Sequence, residues 1–295
     1  MDVTGQPAGD VLQPAGVVGC GLMGSGIAEV CARAGMQVVV TEKDQPSLDA
    51  GRRRIDTSLS RAVRAGKVSE EQRDEVLGLI HFTTSFEELK YCRITIEAVV
   101  EAESEKERVF AILDKVVDAP DAILASNTSS IPIMKLAMAT GRPEYVVGMH
   151  FFNPVPILKL VELVPSLLTS QETVKRAEAF AAGVLNKRVI LCKDRAGFVV
   201  NALLIPYILS AVRMMESGFA SAEDIDAGMV EGCAHPMGPL ALADLIGLDT
   251  TMAVAGSLYE EFKEPLYAPS PLLSRMVEAG LLGRKTGRGF YDYAK

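Results

Sequence analysis

Apolar and polar positions divide the chain into two textures. Up to about residue 192, short runs of aliphatic residues recur between longer polar stretches with helical spacing. Gly16-Val17-Val18 is an apolar run that stops at Gly19, and a helix-compatible stretch follows from Ser25 to Ala34. Gly35 closes it, since glycine takes the left-handed conformation cheaply. Gln37 to Thr41 then reads as a buried, Val-rich strand. Strand, Gly-rich turn, helix and strand together make a βαβ unit. Ser47 to Ala65 is a polar helical stretch rich in arginine, and Ser69-Glu70-Glu71-Gln72 has the form of a capping box opening another helix. Further on, Arg93–Glu97, Ala122–Ser126, Val146–Met149, Lys159–Val164 and Val189–Cys192 predict strands. Glu103–Val117 and Thr173–Leu185 predict helices. This alternation implies a largely parallel sheet with helices on both faces.

Past Lys193 the strand signals vanish. The apolar stretch Ala196–Met215 reads as a buried helix, because Asn201, Pro206 and Arg213 interrupt it as a membrane span. Further helices are expected to start at Ser221 and near Pro239. The expected fold class is therefore α/β: a doubly wound N-terminal domain over residues 13–194 and a smaller all-helical C-terminal domain over 195–295. Residues 1–12 are expected to be a flexible tail.

Within the first βαβ unit, Gly19-x-Gly21-x-x-Gly24 follows a predicted strand and opens a predicted helix, with Leu22 and Met23 between the second and third glycines. That context is the one a Rossmann-like dinucleotide site requires. Gly19 permits the tight turn, Gly21 lets a pyrophosphate approach the backbone, and Gly24 lets helix and strand pack closely. Glu42, ending the second strand, can accept hydrogen bonds from ribose hydroxyls and repels a 2′-phosphate, so NAD is expected over NADP. Lys43 beside it softens that preference.

Charge and cysteine usage narrow the function classes. Thirty basic against 38 acidic residues give a net charge of -8, which argues against binding nucleic acid or an anionic membrane by bulk charge. A local basic patch for a phosphorylated ligand remains open. Five scattered cysteines form no C-x-x-C pair, so no metal site is expected, and a reduced cytoplasmic setting fits best. Met1–Leu12 has no signal-peptide pattern.

Of three histidines, His150 lies just beyond the predicted strand Val146–Met149, where open α/β sheets place their chemistry. His81 and His235 read as structural or surface residues. Glu162 sits between Val161 and Leu163 in an apolar strand, where a carboxylate needs a partner. His150 is the obvious one.

Seven segments carry a wider resemblance. They are Gly19–Gly26 (GCGLMGSG), Ser126–Ser130 (SNTSS), His150–Pro156 (HFFNPVP), Lys159–Glu162 (KLVE), Gly197–Asn201 (GFVVN), Gly247–Thr250 (GLDT) and Lys285–Tyr291 (KTGRGFY). In this order they resemble the L-3-hydroxyacyl-CoA dehydrogenases, from about Pro14 over nearly the whole chain. The size, without a fused hydratase, is similar to free-standing bacterial members acting on 3-hydroxybutyryl-CoA.

The resemblance implies an NAD-dependent oxidoreductase interconverting (S)-3-hydroxyacyl-CoA and 3-oxoacyl-CoA. It implies His150 as general base with Glu162 as its partner, and Ser129 and Asn201 holding the substrate's reacting end. Ser129 would also lie near the nicotinamide, with Asn127 beside the ring and Glu101 and Lys106 on the cofactor side. Ser58, Arg61, Arg64 and Lys67 would contact the coenzyme A moiety, in a register the sequence does not fix. An imidazole can accept and return a proton near neutrality, and a carboxylate can fix its tautomer.

Blander readings stand beside these. Ser129 could cap a helix beginning near Ile131, Asn201 could be a satisfied polar group in an apolar helix, and the arginine-rich helix could be a solvated face. Two positions depart from the family pattern. Ala196 stands where proline is common, which is expected to loosen the connection, and Ala202 stands where arginine is common. Competing functions are a dehydrogenase of a free hydroxy or sugar acid, and a non-catalytic NAD-binding redox sensor. The apolar second domain predicts a homodimer formed through it, and an acyl-CoA thioester is the expected small-molecule partner.

Overall fold

A computed structural model describes residues 12–293. The chain divides into two compact units, the first ending at Asp194 and the second beginning at Arg195. Of the expected tail, Leu12 is buried in the core of the first unit, and residues 1–11 lie outside the described residues.

The first unit runs β1 (Ala15–Val18), α1 (Leu22–Arg33), β2 (Val38–Thr41), α2 (Gln45–Arg64), α3 (Glu70–Gly78), β3 (Ile80–Thr83), β4 (Ile94–Glu97) and α4 (Glu103–Val116). It continues with β5 (Ile123–Ser126), α5 (Ile133–Met138), β6 (Val146–Phe151), β7 (Leu160–Pro165), α6 (Gln171–Ala179) and β8 (Arg188–Leu191). These strands form one eight-stranded sheet in the order β3-β2-β1-β4-β5-β6-β7-β8. Every neighbouring pair is parallel except β6 and β7. Strands β1, β4 and β5 are buried along their full length, which explains why they read as continuous apolar runs rather than alternating ones. The strand order reverses between β1 and β4, and open sheets of this kind bind ligands beyond the strand ends at that point.

Local signals act as their chemistry requires. At α3 the capping box forms: the Gln72 N–H donates to Ser69 Oγ, and the Ser69 N–H donates to Gln72 Oε1. Several boundaries differ from expectation. His150 lies inside β6 rather than after it, because pairing with β7 extends that strand to Phe151. The helix expected over Thr173–Leu185 is α-helical only to Ala179 and passes into a π-turn over Phe180–Val184. α5 starts at Ile133 and is not capped by Ser129; the Asp194 carboxylate accepts from Ile133 and Met134 N–H, both at 2.8 Å.

The second unit is helical: α7 (Val200–Glu216), α8 (Ala222–Cys233), α9 (Pro239–Ile246), α10 (Leu248–Phe262) and α11 (Pro271–Glu278). Its own core includes Leu209, Leu240, Leu248 and Leu258. The helix expected from Ala196 begins only at Val200, because Gly197 and Phe198 take positive φ (73° and 47°), which helical backbone does not allow. Ala196 is tied into the second unit. Its N–H donates to Glu261 Oε2 at 2.8 Å, a bond proline could not make, and Arg195 lies over the Phe262 ring.

Two buried carboxylates organise this unit's far end. Asp226 caps α9, accepting from the Leu240 and Ala241 N–H groups. Asp244 accepts from the Phe290 and Tyr291 N–H groups and from Tyr293 Oη, while Tyr291 Oη donates to Asp226. The KTGRGFY segment is thus a strap tied to two helices. Gly289 belongs to the tie, since a Cβ there would run into the Asp244 carboxylate. Among the described residues no single helix is long and apolar enough to cross a membrane.

Candidate active site

The carboxyl edge of the parallel strands carries the first half of the site. Gly19 has φ +89°, and a Cβ there would lie 2.8 Å from Ala98 O. A Cβ on Gly24 would collide with Gly19 O, whereas at Gly21 nothing lies within 4 Å. The turn therefore closes at its two ends and stays open in the middle, where a phosphate has to approach the backbone. α1 starts at Leu22 with no side-chain cap on its first turn, so its dipole and N–H groups face that opening. Leu22 is exposed and Met23 half-buried.

Glu42 ends β2 and its Oε1 accepts from the Cys20 N–H at 2.7 Å, so the turn and the acidic residue are one structure. Its other oxygen accepts from the Lys43 N–H at 3.1 Å, which leaves acceptor capacity for a ribose. Burial, reinforced by the Glu42 carboxylate and opposed by Arg54, pushes the Cys20 thiol up to about 12 and keeps it unreactive. A groove of about 720 Å3, lined by Gly19, Gly21, Glu42, Lys43 and Val100 among others, runs over this edge. An open backbone, an uncapped helix start and an acidic strand end fit a dinucleotide.

Further along the edge lies a polar network. Glu97, fully buried, accepts from Lys106 Nζ and Val99 N–H on one oxygen and from Ser126 Oγ on the other. Lys106, expected on the cofactor side, is instead buried among protein partners: Glu97 at 2.7 Å and Glu101 at 3.2 Å. A buried ammonium needs such partners, and two carboxylates supply them. Glu101 in turn accepts from Thr128 Oγ1 and from the Ser129 and Ser130 N–H and hydroxyl groups. Partial burial acts to raise the Glu101 carboxyl. The Lys106 charge and the bonds from Thr128 and Ser129 outweigh it and hold the group below the usual carboxylate range. Ser129 and Glu101 are thus brought together. Asn127 serves the next strand, its Oδ1 accepting from the Phe151 N–H at 2.9 Å.

His150 and Glu162 form the second half. β6 and β7 are antiparallel, and their register sets these two residues directly opposite one another. Cross-strand partners share a face of the sheet and lie within side-chain reach. His150 Nδ1 and Glu162 Oε2 are 2.7 Å apart, with the two side chains 8% and 0% exposed. Facing a carboxylate, Nδ1 is the donor. The Cys192 thiol lies 3.9 Å from the other Glu162 oxygen, and the Phe152 ring is 4.6 Å from the imidazole.

Beyond His150 the chain reaches a second pocket of about 560 Å3, between α1, α2 and the Asn153–Pro156 segment. Ser58 and Arg61, three apart on one helix face, both line it. Arg64 and Lys67 do not. Arg64 ends α2, and Lys67 follows the Gly66 break (φ +65°) and lines a separate groove with Arg33 and Gln72. Glu29 stands in the pocket floor at 1% exposure. Burial raises its carboxyl, against a hydrogen bond from Ser58 and the charge of Arg33. Lys187 steadies the pocket's far wall by donating to Val155 O and Leu158 O.

Glu29, Arg53, Arg54, Glu97 and Lys187 escaped the sequence-based expectations. Glu29 was findable, since it lies inside the apolar run Ala28-Glu29-Val30-Cys31, as was Glu97 at the end of an apolar strand. Lys187 has no such signal. Asn201 lies half-buried in the first turn of α7. His81 pairs with Glu88 on the surface, and His235 contacts Tyr207. None of the five cysteines is in a disulfide.

Comparison with known proteins places this geometry in a family. The NAD binding domain of 3-hydroxyacyl-CoA dehydrogenase matches residues 14–195, and the C-terminal domain of the same enzyme matches residues 197–293. A 3-hydroxybutyryl-CoA dehydrogenase of Mycobacterium tuberculosis is 60% identical over 284 residues, covering 96% of this chain and 99% of the relative. The crystal structure of M. tuberculosis FadB2 superposes with a TM-score of 0.95 at 60% identity, covering 97% of this chain and 100% of that one. That of the (S)-3-hydroxybutyryl-CoA dehydrogenase PaaH1 from Ralstonia eutropha gives 0.90 at 45% identity, covering 96% and 100%. The chain belongs to the 3-hydroxyacyl-CoA dehydrogenase family. It is an oxidoreductase, and NAD is its cofactor.

Proposed function

We propose that the protein interconverts (S)-3-hydroxybutyryl-CoA and acetoacetyl-CoA, with His150 and Glu162 as the acid–base pair. The observation that carries this reading is the 2.7 Å contact between His150 Nδ1 and Glu162 Oε2 at directly opposed strand positions. With Nδ1 held by the carboxylate, Nε2 is the nitrogen that takes the C3 hydroxyl proton. The imidazolium so formed is stabilised by Glu162, and in reverse it returns the proton to the carbonyl oxygen. NAD, when bound, supplies the hydride chemistry. Gly19, Gly21, Gly24 and the start of α1 would hold its phosphates, and Glu42 a ribose.

Ser129, its backbone N–H held by Glu101, would turn its one hydroxyl proton from Glu101 to the reacting oxygen, and Asn201 is assigned to the same end of the substrate by family resemblance. The coenzyme A portion is assigned to the pocket that Ser58 and Arg61 line. Leu203 and Phe219, 73% and 79% exposed on the second unit, support a homodimer formed through that unit. Five cysteines without a disulfide accord with a reducing, cytoplasmic setting.

The test is NADH oxidation with acetoacetyl-CoA and, separately, with free acetoacetate. Turnover of the thioester alone is expected. Turnover of the free acid alone, or NADH binding with no turnover, would refute the assignment. His150→Ala is expected to lower kcat by roughly 10²–10⁴-fold, the usual worth of a general base. Light scattering at micromolar concentration should give a dimer mass.

A further inference from the structure

Gly51 in α2 has no room for a side chain: a Cβ there would press on the Cys20 side chain and lie 2.9 Å from Cys20 O. α2 therefore packs straight onto the Gly-rich turn. Arg54, three residues further along, shares that face and donates from Nη1 to Cys20 O at 3.3 Å. The consequence is a side chain at a boundary. Arg54 lines the cofactor groove and also lines the pocket that holds Ser58 and Arg61. Its neighbour Arg53 lines only the second of these.

A guanidinium carries five N–H donors and stays protonated; among the described residues Arg54 makes no ion pair, and the Cys20 carbonyl it bonds is neutral and leaves donors to spare. A dinucleotide and a coenzyme A thioester are both polyanions. Bound in adjoining cavities, they repel one another, and a cation on the shared wall reduces that repulsion. We propose that Arg54 is a phosphate-recognising residue common to both cavities. It strengthens the binding of each ligand and offsets the penalty each imposes on the other. The second half of this rests on the assignment of coenzyme A to the Ser58 pocket.

The test is a set of binding titrations with NADH and with free coenzyme A, which need no turnover. Arg54→Ala is expected to weaken NADH about tenfold and coenzyme A by a similar factor, as for loss of a charge-assisted hydrogen bond. It should also enlarge the ratio of NADH dissociation constants measured with and without saturating coenzyme A. Arg54→Lys, which keeps the charge without the planar fork, should recover part of each loss. Arg53→Ala should weaken coenzyme A alone.

An unchanged NADH constant in Arg54→Ala, or identical behaviour of Arg53→Ala and Arg54→Ala, overturns the proposal while leaving the thioester assignment standing. Failure of the unaltered protein to bind coenzyme A overturns both that assignment and the shared role. A loss of NADH affinity confined to Arg54→Ala then still marks the residue as part of the cofactor groove. Circular dichroism of each variant separates lost binding from lost fold.

Discussion

Glu97 in the first unit and Asp244 in the second are both shielded from solvent, at 0% and 1% exposure. They are answered in different ways. Glu97 faces the Lys106 ammonium, which it shares with Glu101 in a charged triad that continues to Ser129. Asp244 is met by two backbone N–H groups and a tyrosine hydroxyl, with the Asp226 carboxylate nearby rather than a cation. The charged arrangement lies at the strand edge assigned to the chemistry, and it fixes the polarity of everything attached to it. The neutral arrangement lies where the C-terminal strap must be fastened, and it needs only donors. Burial of a carboxylate alone does not reveal which task it serves; the charge of its partners does.

Breaking the charged side should cost most. Lys106→Met leaves two carboxylates facing each other without their cation and is expected to destabilise the protein by about 3–5 kcal/mol, read from denaturant midpoints. On the neutral side, Asp244→Ala strands the donors of the strap and should cost roughly 1–3 kcal/mol, with faster proteolysis near Tyr291. Tyr293→Phe removes one of those bonds and should cost about 1 kcal/mol.

Acidification sharpens the contrast with opposite signs. The Glu101 carboxyl is held below its ordinary value, so its contribution is complete above the unfolded value and is lost as pH falls through the folded one. The stability difference between the unaltered protein and Glu101→Gln should therefore shrink in acid. Burial raises the Asp244 carboxyl, so the folded state binds its proton more readily than the unfolded chain does. Relative to Asp244→Asn, the unaltered protein should gain stability as pH falls through that raised value. Parallel slopes for the two pairs would contradict the distinction.

How much of this is readable from sequence follows the range of the interaction. The Gly19–Gly24 turn, the Ser69 capping box and the buried parallel strands are set by neighbours a few residues away, and each lies where its residues predict. Lys106 is different. Nothing in its own helix says that Glu97, nine positions earlier, will turn inward to meet it. The start of α7 depends on the positive φ of Gly197 and Phe198, which an apolar pattern does not encode. The bond that ties Ala196 joins it to Glu261, 65 residues away, which no local pattern announces. Family resemblance groups Ser58, Arg61, Arg64 and Lys67 without fixing their register; Ser58 and Arg61 line one pocket, and Lys67, past the Gly66 break, lines another.

The reversal of β7 against β6 carries a consequence for assembly. His150 and Glu162 are only 12 residues apart along the chain, so bringing them together closes a short loop at small entropic expense. Their register is set by strands adjacent in sequence, whereas their burial depends on the flanking strands β5 and β8. New termini introduced into surface loops outside this hairpin are expected to leave that register intact.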